Sequence, residues 1–192
     1  MWFGKQKKKI MSIEVRIPFS SEGDLATAYN KALADCKTEW VLFLDHDVFL
    51  CNTLWYQMCE TAIEKVSRDH DAACITCLCG GERHKSTMKR TGEEPEDCIE
   101  EHIRMAKTHY HKYGTNLELI GEYAAGYFLL LNVEIAKDIG FRPQGKGINN
   151  IDADFGTRLL DAGYHIYLMP GLYVYHRRGM KHLKKAFEDG IR

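Results

Sequence analysis

The chain of 192 residues has no long hydrophobic run. Its longest apolar stretch, Ala124 to Leu131, holds eight residues and includes Gly126, far short of the ~20 that cross a bilayer as a helix. It has no excess of either charge. Lys and Arg number 26 and Asp and Glu 27, a net charge of -1, so no overall field points to nucleic acid as a partner. No internal repeat, low-complexity tract or linker interrupts it. No apolar segment follows the basic start with Lys5, Lys7, Lys8 and Lys9, so a secretory signal is not expected.

What is present is the make-up of a soluble globular protein, 45% hydrophobic and 28% charged. Disordered, collagen-like and coiled-coil readings do not fit it. A chain of this length suits one domain, here 1–192, burying roughly 70% of its unfolded surface. Residues 1–11 read as a flexible basic arm. Such an arm can rest on anionic lipid at about 1 kcal/mol per Lys, which leaves a peripheral membrane contact open, although a frayed terminus is the plainer reading.

Seven cysteines, an odd count without an export signal, point to reduced thiols and a cytoplasmic protein. Cys74, Cys77 and Cys79 with His84 resemble zinc spacing. Ala73, Ile75 and Leu78 instead put that stretch on a buried strand, and a second ligand pair at matching spacing is missing. Small core residues are the better reading.

The periodicities alternate strand and helix. Ile13 to Ile17 alternates as a strand up to Pro18. From Leu25, apolar residues at Ala28, Tyr29, Ala32 and Leu33 predict a helix, with Ser21 and Asp24 as a capping box. Val41 to Leu44 reads as a strand buried on both faces. Asn52 or Thr53 is expected to cap a helix with Trp55, Met58, Cys59, Ala62, Ile63 and Val66 inside. Ala72 to Leu78 predicts a strand and Gly80 to Gly92 a loop. Ile99, Ile103, Ala106 and Tyr110 form one stripe of a helix ending before Gly114. Tyr127 to Leu131 is the next strand and Val133 to Ile139 a helix closed by Gly140. Phe155, Leu159 and Leu160 mark a helix stopping at Gly163, and two short strands follow, His165 to Met169 and Leu172 to Tyr175. The expected fold is α/β: a mostly parallel central sheet with helices on both faces, binding ligands at the carboxyl ends of its strands.

Chemistry-bearing residues fall at those ends. Asp45 and Asp47 directly follow Val41 to Leu44. Hard cations such as Mg²⁺ and Mn²⁺ are held by one or two carboxylates plus substrate phosphates, so the pair suggests a metal–diphosphate site. Taken alone, the triplet reads equally as a solvated turn.

Three ordered blocks add to this. LATAYNKALADCKTEWVLFLDHDVFL, AAGYFLLLNVEIAKDIGFRP and GINNIDADFGTRLLDAGYHIYLMPGLYVYHRRG resemble the GT-A glycosyltransferases, in particular the large inverting family 2. The resemblance runs from about Ile13 to Arg178. It implies a single Rossmann-like GT-A domain that moves a sugar, with inversion, from a nucleotide-diphosphate-sugar donor to a glycan or other hydroxyl acceptor. It implies a cation, Mn²⁺ or Mg²⁺, on Asp47, with Asp45 contacting metal, ribose or both and His176 joining metal or diphosphate. Asp152 corresponds to the general base, with Asp154 as the competing base. Arg158 is expected to pack or pair with these acids. Asn30, in the Ala-Tyr-Asn element, falls on the donor side.

The chain departs from that family in lacking a strand–helix–strand unit between Phe19 and the helix from Leu25. Recognition of the nucleotide base is then simplified, supplied by Pro18, Phe19 and Ser20, or lost. Ile151 also stands where many relatives have Glu. Outside the resemblance, His176 reads as a surface histidine, and Asp152 and Asp154 as acids favoured by a helix start. Arg83, His84, Lys85, Lys89 and Arg90 in the loop can close over an anionic donor or be a solvated loop. His102, His109 and His111 receive no role.

Other readings fit less well. A sugar nucleotidyltransferase needs an early Gly-rich loop with a following Lys, which is absent. A two-metal hydrolase needs more clustered acids and histidines. A glycoside hydrolase uses two carboxylates and no diphosphate-bound metal. The remaining alternative is a degenerate GT-A domain that binds nucleotide or glycan without turnover.

Overall fold

The computed structural model of the chain describes residues 12–80, 98–143 and 150–176. The basic arm expected at 1–11, the loop residues Arg83 to Arg90 and the end of the third block beyond His176 lie outside them. The fold is α/β, with one seven-stranded sheet in the order β1-β2-β6-β4-β7-β3 and β5 beside β7. The elements are β1 (Ile13–Arg16), α1 (Leu25–Ala34), β2 (Trp40–Leu44), β3 (Val48–Phe49), α2 (Trp55–Val66) and β4 (Ala72–Gly80). They continue with α3 (Ile99–Tyr113), β5 (Glu118–Ile120), β6 (Phe128–Asn132), α4 (Val133–Ile139), α5 (Ile151–Asp161) and β7 (His165–His176).

The sheet is mixed rather than mostly parallel. β1–β2 and β4–β7 pair in parallel. The pairings β2–β6, β4–β6, β3–β7 and β5–β7 are antiparallel. One cause is β6, which enters the sheet from the cleft end and so runs against both its neighbours, and the short strands β3 and β5 also run against β7. Two-residue β3 and three-residue β5 are too short to show a period, and the sequence pattern does not reveal them.

Strand alternation divides the core between the two faces. Trp40, Leu42 and Leu44 pack with Met58, Cys59, Ala62, Ile63 and Val66 of α2. Val41 and Phe43 face the other way, onto α1, α4 and α5 through Tyr29, Leu33, Ile135, Phe155 and Leu159. Helices therefore cover both faces, as expected. Cys74 joins the second cluster, whereas Cys77 and Cys79 join the first. All seven cysteines are free thiols, and burial pushes the Cys74 and Cys77 thiols well above their usual range.

Helix starts differ in detail from the pattern. Asp24 itself caps α1, its carboxylate accepting from the Thr27 amide at 3.1 Å, while Ser20 accepts from the Asp24 amide at 3.0 Å. Neither Asn52 nor Thr53 caps α2. Asn52 instead accepts from the amide of Leu54, the residue at the cap position.

The inner face of α3 is also shifted. Its buried residues are His102, Met105 and Ala106, and Ile103 is exposed. His102 takes the apolar face because its ring stacks on Tyr175 at 3.7 Å and its Nδ1 lies 2.8 Å from the Tyr173 hydroxyl. His109, one heptad on, stacks on Tyr173 at 5.5 Å.

β7 is one strand of 12 residues, not two. Cys77 faces Met169 and Leu78 faces Tyr173, so Pro170, Gly171 and Leu172 bulge out of the ladder. Pro170 has no amide to donate there. Gly171 is needed at the bulge: a Cβ on it would fall 1.9 Å from the carbonyl oxygen of Gly114, which closes α3.

Edge strand β1 is fastened by Glu14, whose carboxylate accepts from the Lys37 amide at 2.5 Å and from Arg16. The Lys37 amide, then Arg16, hold the Glu14 carboxyl down at about 2, below its ordinary 4.5. A depressed folded-state value means that this stabilisation is complete above the unfolded value and is lost as pH falls toward the folded one. Melting temperatures measured from pH 6 downward should therefore fall between about 4.5 and about 2, and the fall should be shallower in Glu14→Gln.

Candidate metal centre and cleft

The site begins where β2 runs out of apolar residues. Asp45 donates its amide to the Tyr127 carbonyl at 3.3 Å, extending the β2–β6 ladder by one bond. The chain then turns, the Val48 amide reaching the Asp45 carbonyl at 3.4 Å, and β3 pairs Val48 with His176. That pairing brings a residue 129 positions away against the Asp-His-Asp turn.

His176 Nε2 lies 3.0 Å from Asp47 Oδ1 and 3.5 Å from Asp45 Oδ2. One ligand atom from each of the three residues lies within 4.8 Å of the others. Two carboxylate oxygens and an imidazole nitrogen, gathered so closely, can hold a metal ion. Burial pushes the Asp45 carboxyl up, and Asp47 and Asp152 add to this while His176 opposes it. A cation there would offset the crowding of negative charge. His46, between the acids, is exposed.

Asp152 stands across the cleft in the first turn of α5. Asn150 leads into that helix with φ 69°, a left-handed conformation that asparagine tolerates. Asp152 Oδ2 accepts from the Gly126 amide at 2.8 Å and Oδ1 from the Ala153 amide at 2.9 Å. These bonds hold the carboxylate against the segment entering β6.

Gly156 makes that approach possible. A Cβ on it would lie 2.5 Å from Tyr123 Cβ and 3.0 Å from Tyr123 Cα. Together, Leu25, Tyr29, Asp45, Asp152 and His176 line a cleft of about 180 Å³ with Gly126 and Phe141. This volume suits a hydrated cation and a phosphate-sized or sugar-sized group, and is below the roughly 300–1,000 Å³ of drug-sized ligand pockets.

The remaining candidates lie elsewhere. Asp154 turns away from the cleft and pairs with Arg158 at 2.7 Å. Arg158 in turn donates to the Ile139 and Gly140 carbonyls at 2.6 and 2.7 Å, closing the end of α4. Asn30 spends its amide on the backbone of Phe141, giving one hydrogen bond and accepting another, both at 2.8 Å. It positions a wall of the cleft rather than facing into it.

Pro18, Phe19 and Ser20 follow β1 at the same end of the sheet as Asp45, but none of them lines the cleft. Phe19 is 80% exposed. Tyr29, by contrast, enters the cleft, although its spacing reads only as a core position of α1.

A larger hollow of about 890 Å³ lies at the opposite end of the strands, beside Trp40, Ala72 and Asn132. It contains the carboxylates of Glu39, Asp71, Glu134 and Asp138. Asp69 there is already bonded by His165 and Tyr167 at 2.7 and 2.6 Å. Among the described residues, only Asp45, Asp47 and His176 gather ligand atoms closely enough for a metal. Convergent chemistry, not size, singles out the smaller cleft.

Fold and site together define an α/β domain with a candidate cation cleft at its strand ends. No helix among the described residues is long and apolar enough to cross a membrane. The chain matches no protein-family model and no curated protein.

Mn²⁺ titrated by electron paramagnetic resonance should bind the wild-type protein, and Asp47→Asn should weaken it by more than about tenfold. Undiminished binding in that variant would remove Asp47 from the ligand set. Gly156→Ala should destabilise the fold by about 1–3 kcal/mol through overpacking against Tyr123, measured by urea unfolding.

Proposed function

We propose that the chain is a metal-dependent inverting glycosyltransferase of the GT-A kind, moving a sugar from a nucleotide-diphosphate donor to a hydroxyl acceptor. The observation that carries this reading is one arrangement: the triad Asp45, Asp47 and His176, of which Asp45 and His176 line a small cleft that Asp152 also lines. The resemblance of the three sequence blocks supports it.

Asp45, Asp47 and His176 would hold Mn²⁺ or Mg²⁺. Oxygen-rich sites suit both ions, and the imidazole favours Mn²⁺ of the two. Bound there, the cation supplies charge neutralisation for the departing diphosphate. Asp152 accepts the proton of the acceptor hydroxyl as its oxygen attacks the anomeric carbon. The bond from that carbon to the diphosphate oxygen breaks, and the nucleoside diphosphate leaves with the electron pair. The Gly126 and Ala153 amides orient the Asp152 carboxylate for this step. Asp154, paired with Arg158, takes no part in it.

With all seven cysteines as thiols, we place the protein in the cytoplasm. The small cleft and the shortened nucleotide half favour a second reading, a GT-A domain that binds nucleotide or glycan without turnover.

Thermal shift with UDP, GDP, ADP and CDP, with and without Mn²⁺, tests the donor site. A diphosphate at 100 times its Kd adds about 2.7 kcal/mol, a shift of several degrees. No Mn²⁺-dependent shift with any of them would sink the transferase reading. Asp152→Asn should keep that shift and lose transfer by at least about 100-fold, whereas a binding domain would show no transfer in either protein.

A further inference from the structure

One polar group of the cleft is used by neither the metal triad nor Asp152. Tyr29 is only 4% exposed. Its ring stacks on Phe141 at 4.5 Å and meets the edge of Phe43 at 5.1 Å, so its body belongs to the core. Its polar end does not. Tyr29 lines the cleft beside Asp45, Asp152 and His176, and those two carboxylates are the charges that act on its hydroxyl.

Four other tyrosine hydroxyls, two of them on fully buried side chains, have partners within the fold. Tyr56 accepts from the Ile13 amide, Tyr127 donates to the Cys77 carbonyl, Tyr167 donates to Asp69, and Tyr173 meets His102. The Tyr29 hydroxyl hydrogen-bonds to no other described residue. Buried tyrosines normally find a partner for this group, so a polar atom opening into the cleft points to a ligand.

We propose that Tyr29 is a specificity-determining residue whose hydroxyl donates a hydrogen bond to an oxygen of the transferred sugar. This rests on the transferase reading above. On that reading the cation side takes the diphosphate and Asp152 takes the acceptor, so the group between them is the sugar. Tyr29 acts on the space between Asp45 and Asp152. A neutral phenol suits a sugar oxygen there, since it adds no charge beside the carboxylates of Asp45 and Asp152. A phenol is protonated at neutral pH and able to donate.

Tyr29→Phe keeps the ring and its stacking and removes only the oxygen. Calorimetry in Mn²⁺ on both proteins would compare UDP and GDP with UDP-glucose, UDP-N-acetylglucosamine and GDP-mannose. Binding of the free diphosphates and of Mn²⁺ should be unchanged. The sugar nucleotide bound most tightly by the wild type should weaken by about tenfold, the worth of one hydrogen bond in a closed site. A melting curve of the unliganded variant checks that the fold is intact. Equal binding of that sugar nucleotide by both proteins overturns the proposal. An equal loss for the diphosphate and its sugar derivative also overturns it, by moving the hydroxyl to the diphosphate. Both results leave the transferase reading standing. A wild type that binds no sugar nucleotide overturns that reading and the role of Tyr29 with it.

Discussion

The cleft depends on β2, a strand with no wet side. Its five residues are buried on both faces and bonded along both edges, to β1 and to β6. A strand held in this way cannot slip by one residue, because every side chain would change face and the two cores would exchange their contents. The point where it leaves the sheet is therefore set, and the first polar residues after it, Asp45 to Asp47, can only lie at that edge. The antiparallel β6 enters beside them through Gly126 and Tyr127. The strand that carries the acids and the segment that holds Asp152 thus meet at one corner.

Beyond that corner the ladder between β4 and β6 is short, with paired residues only at Cys74–Leu131 and Ile75–Leu130. Side-chain hydroxyls continue the connection. Thr76 donates to the Phe128 carbonyl at 2.9 Å and Tyr127 to the Cys77 carbonyl at 2.7 Å. Buried carbonyls near the opening are satisfied without closing it. On the far side, the histidine–tyrosine stack of α3 on β7 supports the strand that ends in His176. His102 rests on Tyr175, which also stacks on Phe49 of β3 at 5.9 Å. The metal-side histidine is held by aromatic packing on its strand and by the β3 pairing.

Charge is then sorted by distance. Asp154 is taken out of the cleft by Arg158, which joins α5 to the end of α4. Asp45 and Asp152 remain on the lining of the small cleft, with Asp47 beside Asp45 in the triad, and among the described residues that line it His176 is the one able to carry an opposing positive charge. Crowded carboxylates in a partly buried site favour a cation. That electrostatic pressure is a property of the arrangement, not of any single residue. The acidic hollow at the opposite end spreads its carboxylates over a larger opening and lacks it.

Much of this was legible in the chain. The apolar run Val41 to Leu44 required a strand buried on both faces, the 3.6-residue stripes required most of the helices, and Asp45 and Asp47 had to emerge at a strand end. Local period and burial determine such features, since each depends on a few neighbouring residues. Other features were decided only in three dimensions. The direction of β6, the join of β7 into one bulged strand and the pairing of two-residue β3 depend on contacts far apart in sequence. So do the turning of Asn30 onto Phe141 and the opening of Tyr29 into the cleft, whereas the pairing of Asp154 with Arg158, one helical turn apart, was legible in the chain. A side chain's residue type states what it can bond. Which atom stands 3 Å away is mostly settled by packing between segments well separated in sequence, from 26 residues for Gly126 and Asp152 to 129 for Asp47 and His176, and no local pattern carries that information.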